Sequence, residues 1–260
     1  MPRSLFTGAS GMAAQQTNVD VISNNIANVS TVGFKKQRAD FQDLFYEILQ
    51  APGVKAGNAG RNPAGIQIGH GVRVSATPRI FTVGTIEQTG VETDMAIEGD
   101  GFFRVSLQDG TEAYTRAGDF RIDADGSLVS PDGYYLEPRV TIPDGAQQIS
   151  VGTDGEVIVL VDGSQQTVGQ VLISTFRNPT GLVGIGRNLF LETEASGSAE
   201  EGTPGTTGFG LIRSSALEKS NVDVVVELVN LILAQRAYEL NSRTISTSDE
   251  MLRAAAEIGA

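Results

Sequence analysis

The feature that most constrains this chain is a seven-residue repeat of apolar side chains at each of its two ends. The repeat positions are Leu5, Met12, Val19 and Ile26 at one end, and Val224, Leu231, Tyr238, Ile245 and Leu252 at the other. An apolar residue at every seventh position keeps one stripe of a helix facing one partner. The first ~28 and the last ~35 residues are therefore predicted to be helices, roughly 35–55 Å long at 1.5 Å per residue.

Neither stripe is a complete coiled-coil pattern. The positions four residues after the C-terminal stripe are mostly polar: Leu228, Gln235, Ser242, Asp249 and Ala256. The corresponding N-terminal positions are Ala9, Gln16 and Ser23. A single apolar stripe with small and polar neighbours disfavours a stable two-helix dimer, and it favours an assembly in which each helix contacts several others.

We therefore predict that both helices form an assembly interface. Its predicted residues are Leu5, Met12, Val19, Ile26, Val224, Leu228, Leu231, Tyr238, Ile245 and Leu252. The pattern leaves one alternative open, in which both helices are amphipathic and pack on a globular domain of their own chain. The stretch 242–248 (SRTISTS) is a weak helix former, so the last helix is expected to need neighbours to fold.

Composition argues against several classes of chemistry. The 260 residues include no cysteine, so there is no disulfide, no catalytic thiol and no cysteine-ligated metal. The single histidine, His70, stands between two glycines and is read as a loop residue, which leaves few options for nucleophile–base catalysis. Tryptophan is absent and aromatic residues make up 6%, which disfavours a stacking surface. We expect no catalytic site, no cofactor, no metal and no small-molecule substrate.

The negative charge of the chain is concentrated in its middle. The formal net charge is −12, made up of +3 over residues 1–90, −13 over residues 91–205 and −2 over residues 206–260. An acidic middle argues against a nucleic-acid partner, because phosphates are bound by Lys and Arg. The first twenty residues lack the apolar run of a secretion signal, and the apolar run 224–234 is short and contains Glu227 and Asn230. We expect a cytoplasmic protein, or export by a route without a cleaved signal.

Between the terminal helices the pattern changes twice. The first helix is expected over residues 4–28, with its end near residues 28–30, where asparagines cluster. The basic cluster Lys35, Lys36 and Arg38 lies near acidic residues and is interpreted as a solvated face with local ion pairs. Apolar residues at 3–4 spacing over 41–49 favour a second short helix. Residues 51–65 (APGVKAGNAGRNPAG) are predicted to be a loop or an extended arm.

From Ile66 to about Phe209 the sequence is typical of β-structure. Seven Asp-Gly pairs punctuate it at roughly ten-residue intervals, and Asp-Gly supplies the positive φ angles of hairpin turns. The segment 123–126 has the first residues of a calcium loop but lacks the later ligands, so a hairpin is favoured there. The last helix is predicted to open at Ser220, with Asp223 three residues later.

The predicted fold class is α+β, with terminal helices forming a coiled-coil-like domain and an inserted antiparallel, hairpin-rich β domain with an extended arm. The predicted division places residues 1–30 and 221–260 in the helical domain. Residues 31–70 and 210–220 form the connecting region with the arm, and residues 71–209 form the β domain.

Four segments, in order, carry a resemblance to a known family. SNNIANVSTVGFKKQ (23–37) and SNVDVVVELVNLILAQRAYELNSRTISTSDEML (220–252) resemble the N- and C-terminal signatures of the rod and hook family of bacterial flagellar axial proteins. AIEGDGFFRV (96–105) and AYTRAGDF (113–120) are similar to the core shared by its subunits. The resemblance covers essentially the whole chain. Within the family, the chain length and the arm that ends in GIQIGHGV (65–72) favour a distal-rod subunit.

The resemblance implies a structural role. Subunits of this family are exported through the flagellar export apparatus without a cleaved signal, and they polymerise helically at the growing tip. The terminal helices line an inner tube, and the β domain faces outward. The implied partners are other copies of the chain, the proximal rod proteins, the hook protein, the peptidoglycan-ring and outer-membrane-ring proteins and the rod cap. The implied location is the basal body, in the periplasm. The arm would reach an adjacent subunit through Pro52, Gly53, Val54, Asn58, Arg61, Asn62 and Pro63.

Three alternatives are weighed against a distal-rod subunit. Another axial subunit, either proximal-rod or hook-like, shares the same motifs. An enzyme would need a constellation of catalytic groups, and the acidic pairs in the middle of the chain follow from its density of carboxylates alone. A secreted β-domain binding protein would be expected to carry an export signal and aromatic binding residues.

Overall fold

The chain folds into two compact units joined by four chain links. The structure, a computed structural model, describes residues 3–52 and 64–258. The first unit, called here the helical unit, falls within residues 1–26, 37–78 and 223–260. The second, called the β unit, comprises residues 27–36 and 79–222. Terminal helices around a central antiparallel β region confirm the predicted α+β class, while the three-part division of the chain stays a prediction.

The helical unit contains two long helices and four short strands. Its elements are α1 (Arg3–Ala27), β1 (Asp40–Asp43), β2 (Tyr46–Gln50), β3 (Ile66–Gly69), β4 (Val72–Ala76) and α2 (Val224–Ile258). Strand β1 pairs with β4 and β2 pairs with β3, both antiparallel. The predicted short helix over 41–49 is therefore wrong. Apolar spacing in so short a segment fits either state, and here the Ile- and Val-containing strands β3 and β4 provide partners for backbone hydrogen bonds.

The helix boundaries are set by residues that bind free backbone groups. Helix α1 ends at Ala27, one residue before the predicted range of 28–30. Helix α2 begins at Val224, because the carboxylate of Asp223 accepts hydrogen bonds from the amides of Val225 (2.9 Å) and Val226 (3.2 Å). The predicted opening at Ser220 is wrong, since Asp223 is itself the capping residue. The hydroxyl of Ser220 instead accepts from the amide of Val222 in the preceding loop.

Among the described residues, the β unit contains one 3-10 helix (Pro179–Gly181) and sixteen strands, whose pairs are all antiparallel. They are β5 (Ile86–Gln88), β6 (Met95–Glu98), β7 (Phe102–Ser106), β8 (Glu112–Thr115), β9 (Arg121–Ile122), β10 (Leu128–Val129), β11 (Tyr135–Glu137), β12 (Ala146–Val151), β13 (Glu156–Val161), β14 (Ser164–Gln170), β15 (Ile173–Thr175), β16 (Val183–Gly186), β17 (Leu189–Leu191), β18 (Glu200–Gly202), β19 (Leu211–Ser214) and β20 (Ala216–Glu218). The largest sheet has nine strands, in the order β16-β17-β8-β7-β11-β10-β9, with β15 bridging β7 and β18. Strands β12, β13 and β14 form a three-stranded sheet, and β6 pairs with β19 and β5 with β20.

A continuous apolar core fills the β unit. Its fully buried side chains include Met95, Ile97, Phe103, Val105, Leu136, Val157, Ile173 and Ile212. A second cluster of aromatic side chains joins Phe102, Tyr114, Phe176 and Phe190, with edge-to-face ring contacts. Burial raises the pKa of Tyr114 to about 12.

The Asp-Gly pairs have the predicted backbone conformation. All seven glycines have positive φ, from 77° to 144°. Five pairs lie between strands that pair with each other, and these begin at Asp109, Asp125, Asp132, Asp154 and Asp162. The hairpin prediction is wrong for the pairs at Asp100 and Asp144, which precede β7 and β12 without joining paired strands. A positive-φ glycine serves an irregular connection as well as a hairpin turn.

The prediction of a solvated basic cluster is wrong for Lys35. Its side chain is fully buried in the β unit, where the ammonium donates to a carboxylate oxygen of Glu218 at 2.5 Å and to the carbonyl of Thr82 at 2.7 Å. Burial lowers the pKa of Lys35, and the adjacent Glu218 carboxylate opposes that shift. Arg38 fits the prediction, since it is exposed and pairs with Asp40 at 2.8 Å.

Candidate assembly interface

Helices α1 and α2 pack against each other in opposite directions. The hydroxyls of Ser4 and Ser248 lie 3.0 Å apart, and the amide of Asn25 lies 3.4 Å from the carboxylate of Glu227. Between these contacts Gly8 lies against Ile245, and Gly11 lies against Asn241. The start of α1 thus meets the end of α2, and the end of α1 meets the start of α2.

Glycines allow the two helices to approach closely. A Cβ atom on Gly8 would lie 2.9 Å from a side-chain carbon of Ile245. One on Gly11 would lie 2.8 Å from the amide nitrogen of Asn241. The close contact explains why α1 retains two glycines that each cost a helix roughly 1 kcal/mol relative to alanine.

Apart from Ile245, which lies against Gly8, the face of α2 that lies against α1 is small and polar. Its residues are spaced seven apart: Glu227, Ala234, Asn241 and Ser248. Three of them are buried, and Asn241 is half-buried. The sequence prediction does not include this stripe, because its members belong neither to the apolar repeat nor to the positions four residues after it. Its seven-residue spacing was the available signal, and the small or polar character of its members hid it.

A buried polar cluster joins the end of α1 to the start of α2. The side-chain amide of Asn25 donates to the carbonyl of Gln37 at 2.8 Å and accepts from the Gln37 amide at 2.9 Å. The same group donates to Glu227, whose carboxylate lies in the first turn of α2, where the helix dipole favours negative charge. The side chain of Asn25 therefore makes three hydrogen bonds within the helical unit.

The predicted interface residues occupy intermediate and exposed positions. Half-buried side chains are Leu5, Met12, Val19, Ile26, Leu231 and Ile245. Exposed side chains are Val224, Leu228, Tyr238 and Leu252. The predicted stripe thus borders the contact between α1 and α2 rather than filling it. Contact of these residues with other copies of the chain stays a prediction.

Helix α2 directs large apolar side chains to solvent. The most exposed of them are Val225, Val229, Ile232, Leu233, Leu240 and Met251, with Leu240 at 63% and Ile232 at 57%. In the run VVVELVNLILA the acidic residue, Glu227, is buried while the flanking valines and leucines are exposed. This arrangement inverts the usual amphipathic pattern, and contiguous exposed apolar surface of this kind marks an interaction site.

The strands that flank the predicted arm are also apolar and exposed. Phe45 is 90% exposed, and Tyr46, Ile48, Leu49 and Ile66 are each exposed by about half. A two-stranded ribbon is marginal on its own and needs a face to pack against. Of the predicted arm residues, Pro52 is exposed at the end of the described segment. Gly53, Val54, Asn58, Arg61, Asn62 and Pro63 lie outside the described residues.

The described residues assemble no metal-binding group of three or more His, Asp or Glu side chains. His70 lies in the loop between β3 and β4, as predicted, with its Nδ1 3.0 Å from the carbonyl of Phe45. The described helices include none that is both long and apolar enough to cross a membrane.

Comparison with known proteins identifies the family. Three family descriptions match consecutive parts of the chain: "Flagella basal body rod protein" over residues 5–35, "Flagellar hook protein FlgE/F/G D1 domain" over 96–159, and "Flagellar basal body rod FlgEFG protein C-terminal" over 213–258. The flagellar basal-body rod protein FlgG of Borreliella burgdorferi is 49% identical over 97% of both chains. That of Caulobacter vibrioides is 49% identical over 98% of this chain and 99% of its own.

The chain belongs to the FlgG family of flagellar basal-body rod proteins. Members of the FlgG family are structural proteins and not enzymes, and their location is the flagellar basal body. The two family matches at the chain ends cover most of α1 and α2, so the sequences of both helices are among those that the family shares.

A likeness to hook protein is partial. The flagellar hook protein FlgE of Helicobacter mustelae is 46% identical over 140 residues, which cover 53% of this chain and 30% of the hook protein. FlgG-family relatives match over nearly their whole length, and this difference separates the rod subunit from the hook subunit.

Proposed function

We propose that this chain is the structural subunit of the distal rod and polymerises helically into the rigid, hollow shaft that transmits torque from the motor to the hook. The observation that supports self-assembly is the exposed apolar surface of α2, defined by Val225, Val229, Ile232, Leu233 and Leu240. Full-length similarity to FlgG-family rod proteins supports the location in the rod.

The apolar surface of α2 favours contact with other helices. Burying one Val, Leu or Ile side chain stabilises a complex by roughly 1.5–3 kcal/mol relative to leaving it in water. The inner stripe of α2 offers little of this energy, because it consists of Glu227, Ala234, Asn241 and Ser248. The helix pair of one subunit is therefore weak by itself, and neighbouring copies supply the missing apolar contacts.

Folding of the ends is coupled to assembly in this proposal. The stretch 242–248 is helical in the structure, although Ser and Thr are weak helix formers there. Three of its hydroxyls, on Thr244, Ser246 and Ser248, bond to carbonyls four residues earlier, which slightly destabilises a helix. Ordering such a helix only on contact with neighbours keeps single subunits from associating prematurely.

The resemblance to flagellar axial proteins implies the layout of the polymer, and the distribution of charge supports it. The inner tube is lined by residues 1–30 and 221–260. The outward-facing part is residues 71–209, and it is connected to the tube by residues 31–70 and 210–220. The β unit holds eleven Lys/Arg and 21 Asp/Glu, a net charge of −10, which suits an outer surface that must stay solvated. The segment 52–63 reaches an adjacent subunit, and the exposed apolar strands β2 and β3 beside it pack there as well.

The partners follow from that position. The subunit contacts other copies of itself along the shaft, proximal rod proteins at one end and the hook protein at the other. The peptidoglycan-ring and outer-membrane-ring proteins surround it, and the export apparatus and the rod cap handle it during growth. Export without a cleaved signal peptide, through the flagellar apparatus, delivers it to the periplasm.

Labelling of isolated basal bodies tests the proposal. A peptide tag inserted after Gly163, in the turn between β13 and β14, has open space around it. We expect a bound antibody fragment to decorate the rod between its proximal segment and the hook. Label confined to the base of the rod or to the hook would identify another axial subunit and overturn the proposal.

A further inference from the structure

Three separate segments of the β unit are bound together where the chain leaves that unit. They are residues 33–36, 80–85 and 218–221, called here the clasp. The amide of Gly33 donates to the carbonyl of Glu218 at 2.8 Å, and the amide of Ile80 donates to the carbonyl of Lys36 at 2.9 Å. The amide of Lys219 donates to the carbonyl of Thr85 at 2.9 Å, so each segment is bonded to both of the others.

One side chain connects all three segments. The Asn221 oxygen accepts from the Lys36 amide at 2.8 Å. Its nitrogen donates to the carbonyls of Ile80 at 2.8 Å and Thr82 at 3.2 Å. The backbone amide of Asn221 also donates to the carbonyl of Phe34 at 3.4 Å. A single amide side chain therefore binds carbonyls and an amide that lie 139 to 185 positions away from it along the chain.

A buried group of charges reinforces the same segments. One carboxylate oxygen of Glu218 binds the ammonium of Lys35 at 2.5 Å and the amide of Gly84 at 2.7 Å. The other lies 3.5 Å from the guanidinium of Arg116 as an ion pair without a hydrogen bond. Arg116 donates instead to the carbonyls of Ile97 and Gly99. All three charged side chains are at least 98% buried. Removing one partner of such a group leaves an unpaired buried charge, so the charges fix one register of the segments.

Gly33 allows the first segment to lie close to the backbone of Arg116 and Ala117. Its φ is +68°, and a Cβ atom there would lie 2.6 Å from the backbone of Arg116 and Ala117. Only glycine fits such a left-handed conformation at this distance without displacing the backbone.

The clasp lies at three of the four chain links between the units. The chain passes from one unit to the other after residues 26, 36, 78 and 222. Lys36 is the last residue before one link, Ile80 follows another by two residues, and Asn221 precedes a third by one residue. Any force that passes along the chain at these links enters the β unit through the clasp.

We propose that the clasp opens and closes as one body and makes these three links share mechanical load, with Asn221, Lys35 and Glu218 as its positioning residues. The idea of load rests on the proposed rod function, whereas the cooperative opening of the clasp does not. Hydrogen bonds loaded together resist force better than bonds loaded one after another. A shaft subunit benefits, because torque would otherwise break the hydrogen bonds of one link at a time.

Amide hydrogen exchange of the full-length soluble monomer tests the cooperative part. Four clasp amides keep their acceptors when Asn221 is changed, namely those of Gly33, Ile80, Gly84 and Lys219. In Asn221→Ala we expect all four to exchange at least 10-fold faster, by a common factor, with no change in β13. Acceleration confined to the Lys36 amide would overturn the proposal.

Two further variants sharpen that result. Asn221→Asp keeps an acceptor for the Lys36 amide and loses the bonds donated to Ile80 and to the carbonyl and hydroxyl of Thr82. A one-body clasp therefore predicts acceleration of Lys36 as well, and unchanged Lys36 exchange contradicts it. Asn178→Ala is the matched control. It removes the bond from the Asn178 amide to the carbonyl of Ala195 and the bond from the Thr180 hydroxyl to the Asn178 oxygen, in the same unit but away from the links. We expect wild-type exchange throughout the clasp in this control.

Motor torque under viscous load tests the sharing of force. With equal numbers of rods, we expect Asn221→Ala motors to fail at high load and to run normally at low load, while Asn178→Ala motors match the wild type at both. Equal endurance of Asn221→Ala and wild-type motors at stall would overturn force sharing. Absence of the wild-type chain from rods would overturn the proposed function, but it would not affect the exchange test of cooperative opening.

Discussion

The two units of this molecule place apolar and polar residues in opposite ways. The β unit buries Phe103, Leu136 and Ile212 completely and carries a net charge of −10. In the helical unit, the contact between α1 and α2 contains glycine, serine, asparagine and a glutamate beside Ile245, while Ile232 and Leu240 face solvent. One unit completes its core within a single chain, and the other leaves apolar surface for contacts from outside.

The difference shows how one chain can be both soluble and a polymer subunit. A folded, acidic β unit keeps a single copy soluble and repels other copies at long range. The helical unit exposes apolar side chains, which we propose are buried when helices of several copies meet. A charge placed on the exposed face of α2 should therefore impair assembly and leave stability unchanged. Truncation of a core side chain in the β unit should instead reduce stability.

The largest expected effect is the loss of assembly when the outer face of α2 is charged. Ile232→Asp or Leu240→Asp places a carboxylate where a neighbour would bury an isoleucine or leucine, and we expect no rods at all. The melting temperature of the monomer should stay within a degree of wild type, because both side chains are exposed. Electron microscopy of basal bodies and calorimetry measure the two properties. Gln235→Asp, on the same helix, is the control and should assemble.

The reverse behaviour is expected for a core residue of the β unit. Phe103 is fully buried and makes an edge-to-face contact with Phe120 at 5.3 Å between ring centroids. Phe103→Ala should reduce the free energy of unfolding of the β unit by about 3–5 kcal/mol. Urea unfolding measures this loss. A variant with unchanged stability would show that the β unit does not depend on its own core, and the contrast between the units would fail.

A smaller effect is expected where α1 and α2 touch. Gly11→Ala raises the intrinsic helix propensity of α1 by about 1 kcal/mol. The new Cβ must nevertheless displace Asn241, which overpacking makes unfavourable by about 1–3 kcal/mol. We expect a peptide of residues 3–27 to become more helical while rod assembly weakens. The double variant Gly11→Ala, Asn241→Ala should recover assembly; failure to recover would mean that the close contact is not what selects glycine.

The smallest effect concerns alkaline pH. The pKa of Tyr114 is raised to about 12 in the folded β unit, above the usual value of 10. A raised folded pKa favours the neutral phenol, so its stabilising contribution is present below pH 10 and is lost as the pH rises from 10 to 12. We expect Tyr114→Phe to lose less stability between pH 9 and pH 11 than the wild type. Urea unfolding at both pH values measures this, and equal losses would contradict the assignment.

The sequence predicts long-range patterns well and individual contacts poorly. Terminal helices and the turn glycines follow from the repeats and the Asp-Gly pairs, since both depend on local backbone preferences. Burial of Lys35 could not be predicted, because its partner Glu218 lies 183 residues away and no local pattern links them. The sequence over 41–49 favours a helix instead of the strands β1 and β2, because their partners β3 and β4 follow an intervening segment.

The candidate interface shows the same limit. An apolar repeat identifies α1 and α2 as helices, and it places Leu231 and Ile245 near the contact between them. It does not reveal that Glu227, Ala234 and Ser248 lie inside the pair, because small and polar residues also occur on solvated faces. The division between inner and outer faces depends on close helix approach at Gly8 and Gly11, which only the structure displays.

Limited proteolysis of the soluble monomer and of assembled rods, with mass spectrometry of the fragments, tests the central claim most directly. We expect both ends of the monomer, residues 3–27 and 224–258, to be cut within minutes while a fragment spanning residues 79–222 persists, and both ends to resist cleavage in rods. Ends that resist as long as the β unit in the monomer would show that α1 and α2 complete their packing without neighbours. That result would contradict the account.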